Sequence, residues 1–188
     1  MNTAALTRRL FVALMPEEGG MASLQEHRRQ WKWPPGVRLA DAATLHVTLH
    51  FLGDVALAQE QALVSALGGV RMAPCNMTLG AATVWAGGIA VLLVDHDHAL
   101  ARLHASIGLT LAGLGMRLDR RPWVPHLTLA WHAQGASPPT ADGPIEWRAE
   151  HFSLMWSRPA PLRGYVPIAT WPDSEQRQAM ASKAPDTG

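Results

Sequence analysis

The sequence predicts a protein of mixed strands and helices built as two similar lobes, on three observations. Two stretches alternate apolar and polar residues as half-buried strands do: Leu45-His46-Val47-Thr48-Leu49-His50-Phe51 and Pro125-His126-Leu127-Thr128-Leu129-Ala130-Trp131. His126 lies 80 residues after His46 (126 minus 46), and a strand-like run ending at Val94 lies 80 after one ending at Leu14 (94 minus 14). A strand–helix–strand unit therefore occurs twice, which is a duplication, since a solenoid needs more copies. Leu100, Leu103, Ile107, Leu111 and Leu114 recur at spacings of three and four, marking a long amphipathic helix.

In chain order, Leu10-Phe11-Val12-Ala13-Leu14 reads as a buried strand. Pro16 with Glu17-Glu18 suits a helix opening, because proline presets φ and carboxylates complement the N-terminal dipole; Gly19-Gly20 weakens that first turn. Met21, Leu24 and Trp31 supply the apolar stripe, and Pro34-Pro35-Gly36 ends the helix. In the first His-x-Thr strand, Leu45, Val47, Leu49 and Phe51 are expected on the core face and His46, Thr48 and His50 on the other. Gly53-Asp54 closes it. A second helix is expected over Ala56 to Leu67, stopped by Gly68-Gly69. Strands around Asn76–Trp85 and Ile89–Asp95 come next, with Gly87-Gly88 as the turn between them. After the long helix, Gly115 sits where a C-terminal cap belongs. Gln134 to Pro144 is a polar loop, Phe152, Leu154 and Trp156 alternate as a strand, and Tyr165 to Trp171 reads as an edge strand because Pro167 cannot donate to a ladder. One bilobal domain over 1–172 is expected, with a small, polar, disordered tail over 173–188.

The 188 residues, 48% apolar and 16% charged, are ample for a hydrophobic core. A net charge of +1 speaks against long electrostatic tracking of a nucleic-acid backbone and leaves a small anion or a nucleic-acid end as ligand. Cys75 is the single cysteine, so no internal disulfide forms, which fits a reducing compartment. The early apolar run Leu10 to Met15 is too short for a signal segment, and no stretch reaches the length of a membrane span. A cytoplasmic monomer with no membrane contact is the expectation.

A core strand has no packing reason to line its second face with His and Thr twice. The two polar faces read as walls of one cleft. Paired His-x-Thr motifs a lobe apart resemble the 2H phosphoesterase superfamily. Leu10-Phe11-Val12-Ala13-Leu14, Leu45-His46-Val47-Thr48-Leu49-His50-Phe51-Leu52-Gly53 and Arg121-Pro122-Trp123-Val124-Pro125-His126-Leu127-Thr128-Leu129-Ala130 narrow it to the LigT-like RNA 2′,3′-cyclic phosphodiesterases. The likeness runs from about Leu10 to Trp171. One His-x-Thr is a worthless signal; two of them in alternating strands, at matching points of a repeat, are a strong one.

The resemblance implies a bilobal α+β fold, two pseudo-symmetric lobes of antiparallel sheet and helices around a central cleft where His46, Thr48, His126 and Thr128 meet. It implies hydrolysis of a 2′,3′-cyclic phosphate at RNA ends to a 2′-phosphate, as in RNA processing, with weak 2′-5′ ligation in reverse. Substrates would be RNA ends or 2′,3′-cyclic nucleotides. Such a reaction needs a base to activate water and an acid for the leaving 3′-oxygen, and two imidazoles supply both near neutrality. His126 is the expected base and His46 the expected acid, with no metal or cofactor. Thr48 and Thr128 share the faces of their histidines and can donate to non-bridging oxygens. Arg121, five residues before His126, is a candidate phosphate contact. The chain departs from the family pattern at His50, where a Lys or Arg is frequent, and at Trp131, where an Arg is usual; strand parity points Trp131 away from His126.

Other readings of these residues are plainer. His50, His132 and His151 are expected to be structural, and a zinc site from His46, His50, His126 and His132 is disfavoured because positions four apart on a strand cannot share an ion. Asp95-His96-Asp97-His98 is better read as a helix start with Asp97 as the cap. Trp33 and Trp123 are candidates for base stacking, Tyr165 for the cleft rim or packing, Arg28-Arg29 for a solvated helix face, and Cys75 for a buried small hydrophobe. Two alternatives remain: a phosphodiesterase for another nucleotide (a 2′-5′ oligonucleotide or cyclic nucleotide), and a module that binds RNA ends without turnover.

Overall fold

A computed structural model describes residues 6–95, 97–140 and 143–173. His96 and the expected tail beyond Asp173 lie outside the described residues. The elements are β1 (Thr7–Leu14), α1 (Glu18–Gln30), β2 (Arg38–Leu39), a 3-10 turn (Ala42–Thr44), β3 (Val47–Ala56), α2 (Leu57–Gly68), β4 (Cys75–Trp85), β5 (Ile89–Val94), α3 (His98–Gly113), β6 (His126–Trp131), β7 (Ile145–Ala149), β8 (Phe152–Arg158) and β9 (Gly164–Trp171). Two strands go beyond the sequence expectation: β2, too short to show a period, and β7, whose alternating Ile145, Trp147 and Ala149 carry the signal. Asp97 caps α3 as expected, its carboxylate accepting from Leu100 N–H at 2.6 Å.

The strands form one curled antiparallel sheet, ordered β7-β4-β5-β6-β3-β1-β8-β9, with β2 beside β6. This α+β half-barrel has β9 at one edge, as Pro167 requires. At its centre β6 meets β3 through the pair Val47 and Leu127, whose separation, 127 minus 47, is the repeat's own 80. A pseudo-twofold axis therefore passes through that pair, with a His-x-Thr strand on each side. At the other end of the repeat the register corrects the offset. Ala13 and Leu14 face Thr48 and Val47, whereas Val91 and Leu92 face Thr128 and Leu127. Equivalent positions of β1 and β5 are thus 78 apart (92 minus 14), and the second unit carries two extra residues before its motif. An even difference preserves the in–out alternation, so the subtraction still aligned apolar residues with apolar ones.

The apolar residues of the helices (Leu24, Leu63, Leu67, Leu100, Leu103, Ile107 and Leu111) bury against one face of the sheet, together with Leu10, Val12, Leu14, Leu45, Val47, Leu92 and Leu127. Each such side chain contributes roughly 1.5–3 kcal/mol on removal from water. Phe11, Ala13 and Met155, with Met15 and Tyr165 against them, form a smaller cluster apart from this core. No helix among the described residues is long and apolar enough to cross a membrane.

Both central strands break their alternation at the same point. Leu49 has no partner between Thr48 (opposite Ala13) and His50 (opposite Val12), and Leu129 has none between Thr128 (opposite Val91) and Ala130 (opposite Ala90). Each is a β-bulge, which inserts one residue and reverses the facing of the residues beyond it. His50 and Ala130 therefore take the core side, and Phe51 and Trp131 turn to the face of the motifs. The expected core position of Phe51 is corrected: it is 55% exposed and sits opposite Phe11. Trp131 is corrected likewise, although its half-buried ring still touches the rim of the core.

Candidate active site

His46 comes just after the short turn at Ala42–Thr44, which Asp41 caps by accepting from Ala43 N–H at 3.0 Å. That turn sets the Thr44 carbonyl where His46 Nδ1–H donates to it at 2.7 Å. His126 repeats the arrangement: its Nδ1–H donates to the Val124 carbonyl at 2.7 Å. Val124 precedes Pro125 and so is biased to extended backbone, which helps aim that carbonyl. A carbonyl only accepts, so both Nδ1 atoms carry hydrogen and both Nε2 atoms are left for chemistry. Thr48 Oγ1 lies 2.9 Å from His46 Nε2 and donates to it when the imidazole is neutral.

Extending the Val47–Leu127 pair one step each way sets His46 opposite Thr128 and Thr48 opposite His126, all four on one face. Diagonal positions on such a pair are roughly 7–8 Å apart, which leaves room for a phosphate between the imidazoles. His46 also feels the ring of His126. Burial lowers the His46 pKa below its ordinary 6.5, the hydrogen bond to Thr44 opposes this, and the charge of His126 lowers it further.

Aromatic rings wall the motifs on both sides. His46 lies 5.0 Å from Phe11 and 5.2 Å from Tyr165, edge-on to the latter, while Trp85 sits 4.4 Å from His126. Register could have found Trp85: it faces Ile89, and Thr83 faces Val91, which faces Thr128. Trp33 and Trp123, the base-stacking candidates, are committed elsewhere. Trp33 stacks on Trp31 at 4.7 Å and donates to the Arg28 carbonyl. Trp123 stacks on His104 at 3.9 Å and donates to the Thr48 carbonyl at 3.1 Å. His104 in turn stacks on His50 at 4.2 Å, and His50 Nε2–H donates to the His104 carbonyl at 2.8 Å. His50 is thus a brace between α3 and β3. Gly108 of α3 leaves the space, since a Cβ there would come within 3.2 Å of the His50 ring.

Arg121 is 86% exposed and its guanidinium is held by Asp119 at 2.5 Å, which keeps the Asp119 carboxyl down at about 2. His151 pairs with Glu17 at 3.5 Å, and Cys75 is buried with its thiol pushed up to about 11. Among the described residues no three His, Cys, Asp or Glu side chains gather to hold a metal. A depression between α1 and the start of β7 is lined by Ser23, Glu26, His27 and Ile145, and neither His46 nor His126 lines it.

Residues 17–160 match the 2′-5′ RNA ligase superfamily. An RNA 2′,3′-cyclic phosphodiesterase of Escherichia coli is 30% identical over 174 residues, covering 87% of this chain and 96% of that protein. An RNA 2′,3′-cyclic phosphodiesterase of Geobacillus stearothermophilus is 33% identical over 99 residues, and there the match covers 50% of this chain and only 32% of that protein. The crystal structure of E. coli LigT without ligand superposes with a TM-score of 0.75 at 27% identity, covering 89% of this chain and 98% of that one. LigT has also been solved with 3′-AMP, again at a TM-score of 0.75.

Proposed function

The chain belongs to the 2′-5′ RNA ligase superfamily of 2H phosphoesterases, and from that premise we propose that it hydrolyses 2′,3′-cyclic phosphates at RNA ends to 2′-phosphates. The observation that carries this reading is the pair of imidazoles on one face, each fixed by the same Nδ1–carbonyl bond and each offering Nε2. Relatives named for this activity and a structural neighbour holding 3′-AMP support it.

The reaction balances on those two atoms. A water oxygen attacks phosphorus while its proton passes to His126 Nε2. The P–O3′ bond breaks, and the 3′-oxygen takes the proton from His46 Nε2. The product is a 2′-phosphate with a free 3′-hydroxyl, and solvent exchange restores the starting protons. Burial makes His46 a weaker proton holder than an ordinary imidazole, and the bound phosphate restores its affinity for the proton. Once Nε2 is protonated, the Thr48 hydroxyl no longer donates to it and can turn to a phosphate oxygen. Thr128, opposite His46 by register, is its counterpart, while Arg121, paired with Asp119, serves at most from the cleft's edge. With an RNA 5′-hydroxyl in place of water, His126 takes that hydroxyl's proton, the P–O3′ bond breaks with protonation of the 3′-oxygen by His46, and a 2′-5′ linkage forms weakly.

The test is product identity. Incubated with a cyclic-phosphate-ended RNA in EDTA, the protein should yield a 2′-phosphate, read by ³¹P NMR. A 3′-phosphate, or binding without turnover, overturns the reading. Hydrolysis of 2′-5′ oligonucleotides with the cyclic end left intact would move the activity to another nucleotide.

A further inference from the structure

The two motif strands leave the central pair in opposite directions, so the cleft has two different ends. One ends at Phe51, five residues beyond His46; the other ends at Trp131, five beyond His126. Each reaches the cleft face because of its bulge, and each lies about 15 Å from its histidine at the rise of a strand. That distance spans about two to three nucleotides of extended strand.

The ends differ in charge. At the Trp131 end, Arg38 of β2 is the direct cross-strand partner of Trp131, and its guanidinium carbon lies 4.2 Å above the indole ring. Among the described residues no carboxylate pairs with it. Stacking on an indole leaves the in-plane N–H fork of a guanidinium free. The backbone beneath is pinned: Ala40 N–H donates to the Leu129 carbonyl at 2.8 Å, and Arg28 donates to the Ala40 carbonyl at 2.5 Å. At the Phe51 end the nearby cation, Arg9 on the neighbouring β1, is already paired with Asp54, a strand-mate of Phe51, at 3.4 Å.

We infer that the RNA strand leading to the cyclic end leaves the cleft past Trp131, where Arg38 binds a backbone phosphate about two to three nucleotides from the reacting one. The inference rests on the proposed function and extends it from a terminal group to a strand with a direction. Arg38 contacts the substrate, and Trp131 positions Arg38.

The experiment compares kcat/KM for a 2′,3′-cyclic mononucleotide with that for a six-nucleotide RNA ending in the same group. The parent protein should prefer the RNA, and the preference should weaken as salt rises. Arg38→Gln should cost about tenfold more on the RNA than on the mononucleotide, mainly in KM, and lower the salt slope for the RNA by about one. Arg38→Lys should recover part of the loss, and Trp131→Ala should behave like Arg38→Gln, whereas Phe51→Ala should leave the RNA-to-mononucleotide ratio near the parent's. A parent with no preference for the RNA, equal losses on both substrates, or a selective loss in Phe51→Ala with none in Arg38→Gln overturns the inference while the proposed activity stands. Failure of the parent to hydrolyse either substrate overturns the proposed function itself.

Discussion

Thr48 shows how closely the site couples a hydroxyl to a proton. Its Oγ1 is 2.9 Å from His46 Nε2, two residues back on the same face, so the state of the imidazole decides where the hydroxyl hydrogen points. In the proposed reaction the histidines move protons, whereas the threonines orient and stabilise. His46→Asn and His126→Asn should each lower kcat/KM on a 2′,3′-cyclic nucleotide roughly 10²- to 10⁴-fold. Thr48→Val and Thr128→Val should cost less, with about 10²-fold as the ceiling. All four should stay folded by circular dichroism, because these side chains lie outside the main apolar core. A dead threonine variant beside active histidine variants would refute the assignment. The motif residues themselves were readable from the sequence because each sits in an alternating stretch that needs no tertiary knowledge. Arg38 was not, since its importance depends on a two-residue strand laid against Trp131.

At the level of elements, the stack of His50, His104 and Trp123 ties α3 to the back of β3 and ends on the Thr48 carbonyl. Burial, and secondarily the charge of His50, pushes the His104 pKa down to about 4; burial also lowers that of His50. In the unfolded chain both return to about 6.5. Between that value and about 4 the unfolded state binds more protons, so stability should fall as pH drops through this window and level off below it. Urea denaturation midpoints across pH 4 to 7.5 measure this, and His104→Phe, which keeps a ring between His50 and Trp123, should flatten the dependence. An unchanged slope in that variant would show that the stack does not carry it. Strict alternation located both motif strands yet misplaced Phe51 and Trp131, because a bulge is invisible in the polar–apolar pattern when the inserted residue, Leu49 or Leu129, is itself apolar. Asp97 was legible for the opposite reason: a cap acts within three residues.

For the whole molecule, the duplication is what builds the site. The axis through Val47 and Leu127 brings one imidazole from each repeat to the same face of the sheet. The repeat was legible because the motif offset of 80 coincides with that pairing; the true offset of 78 between β1 and β5 was hidden by its even difference. If these two imidazoles act as an acid–base pair, the pH dependence of cyclic-phosphate hydrolysis carries their signature. With chemistry rate-limiting, kcat/KM should be bell-shaped, its limbs belonging to the coupled pair, and one limb should fall below 6.5 because burial depresses His46. The corresponding limb of kcat should lie higher, since bound phosphate favours the imidazolium. His46→Asn should abolish that limb and leave the other. A kcat/KM that is flat from pH 5 to 8 in the parent protein would mean that the two imidazoles do not work as an acid–base pair.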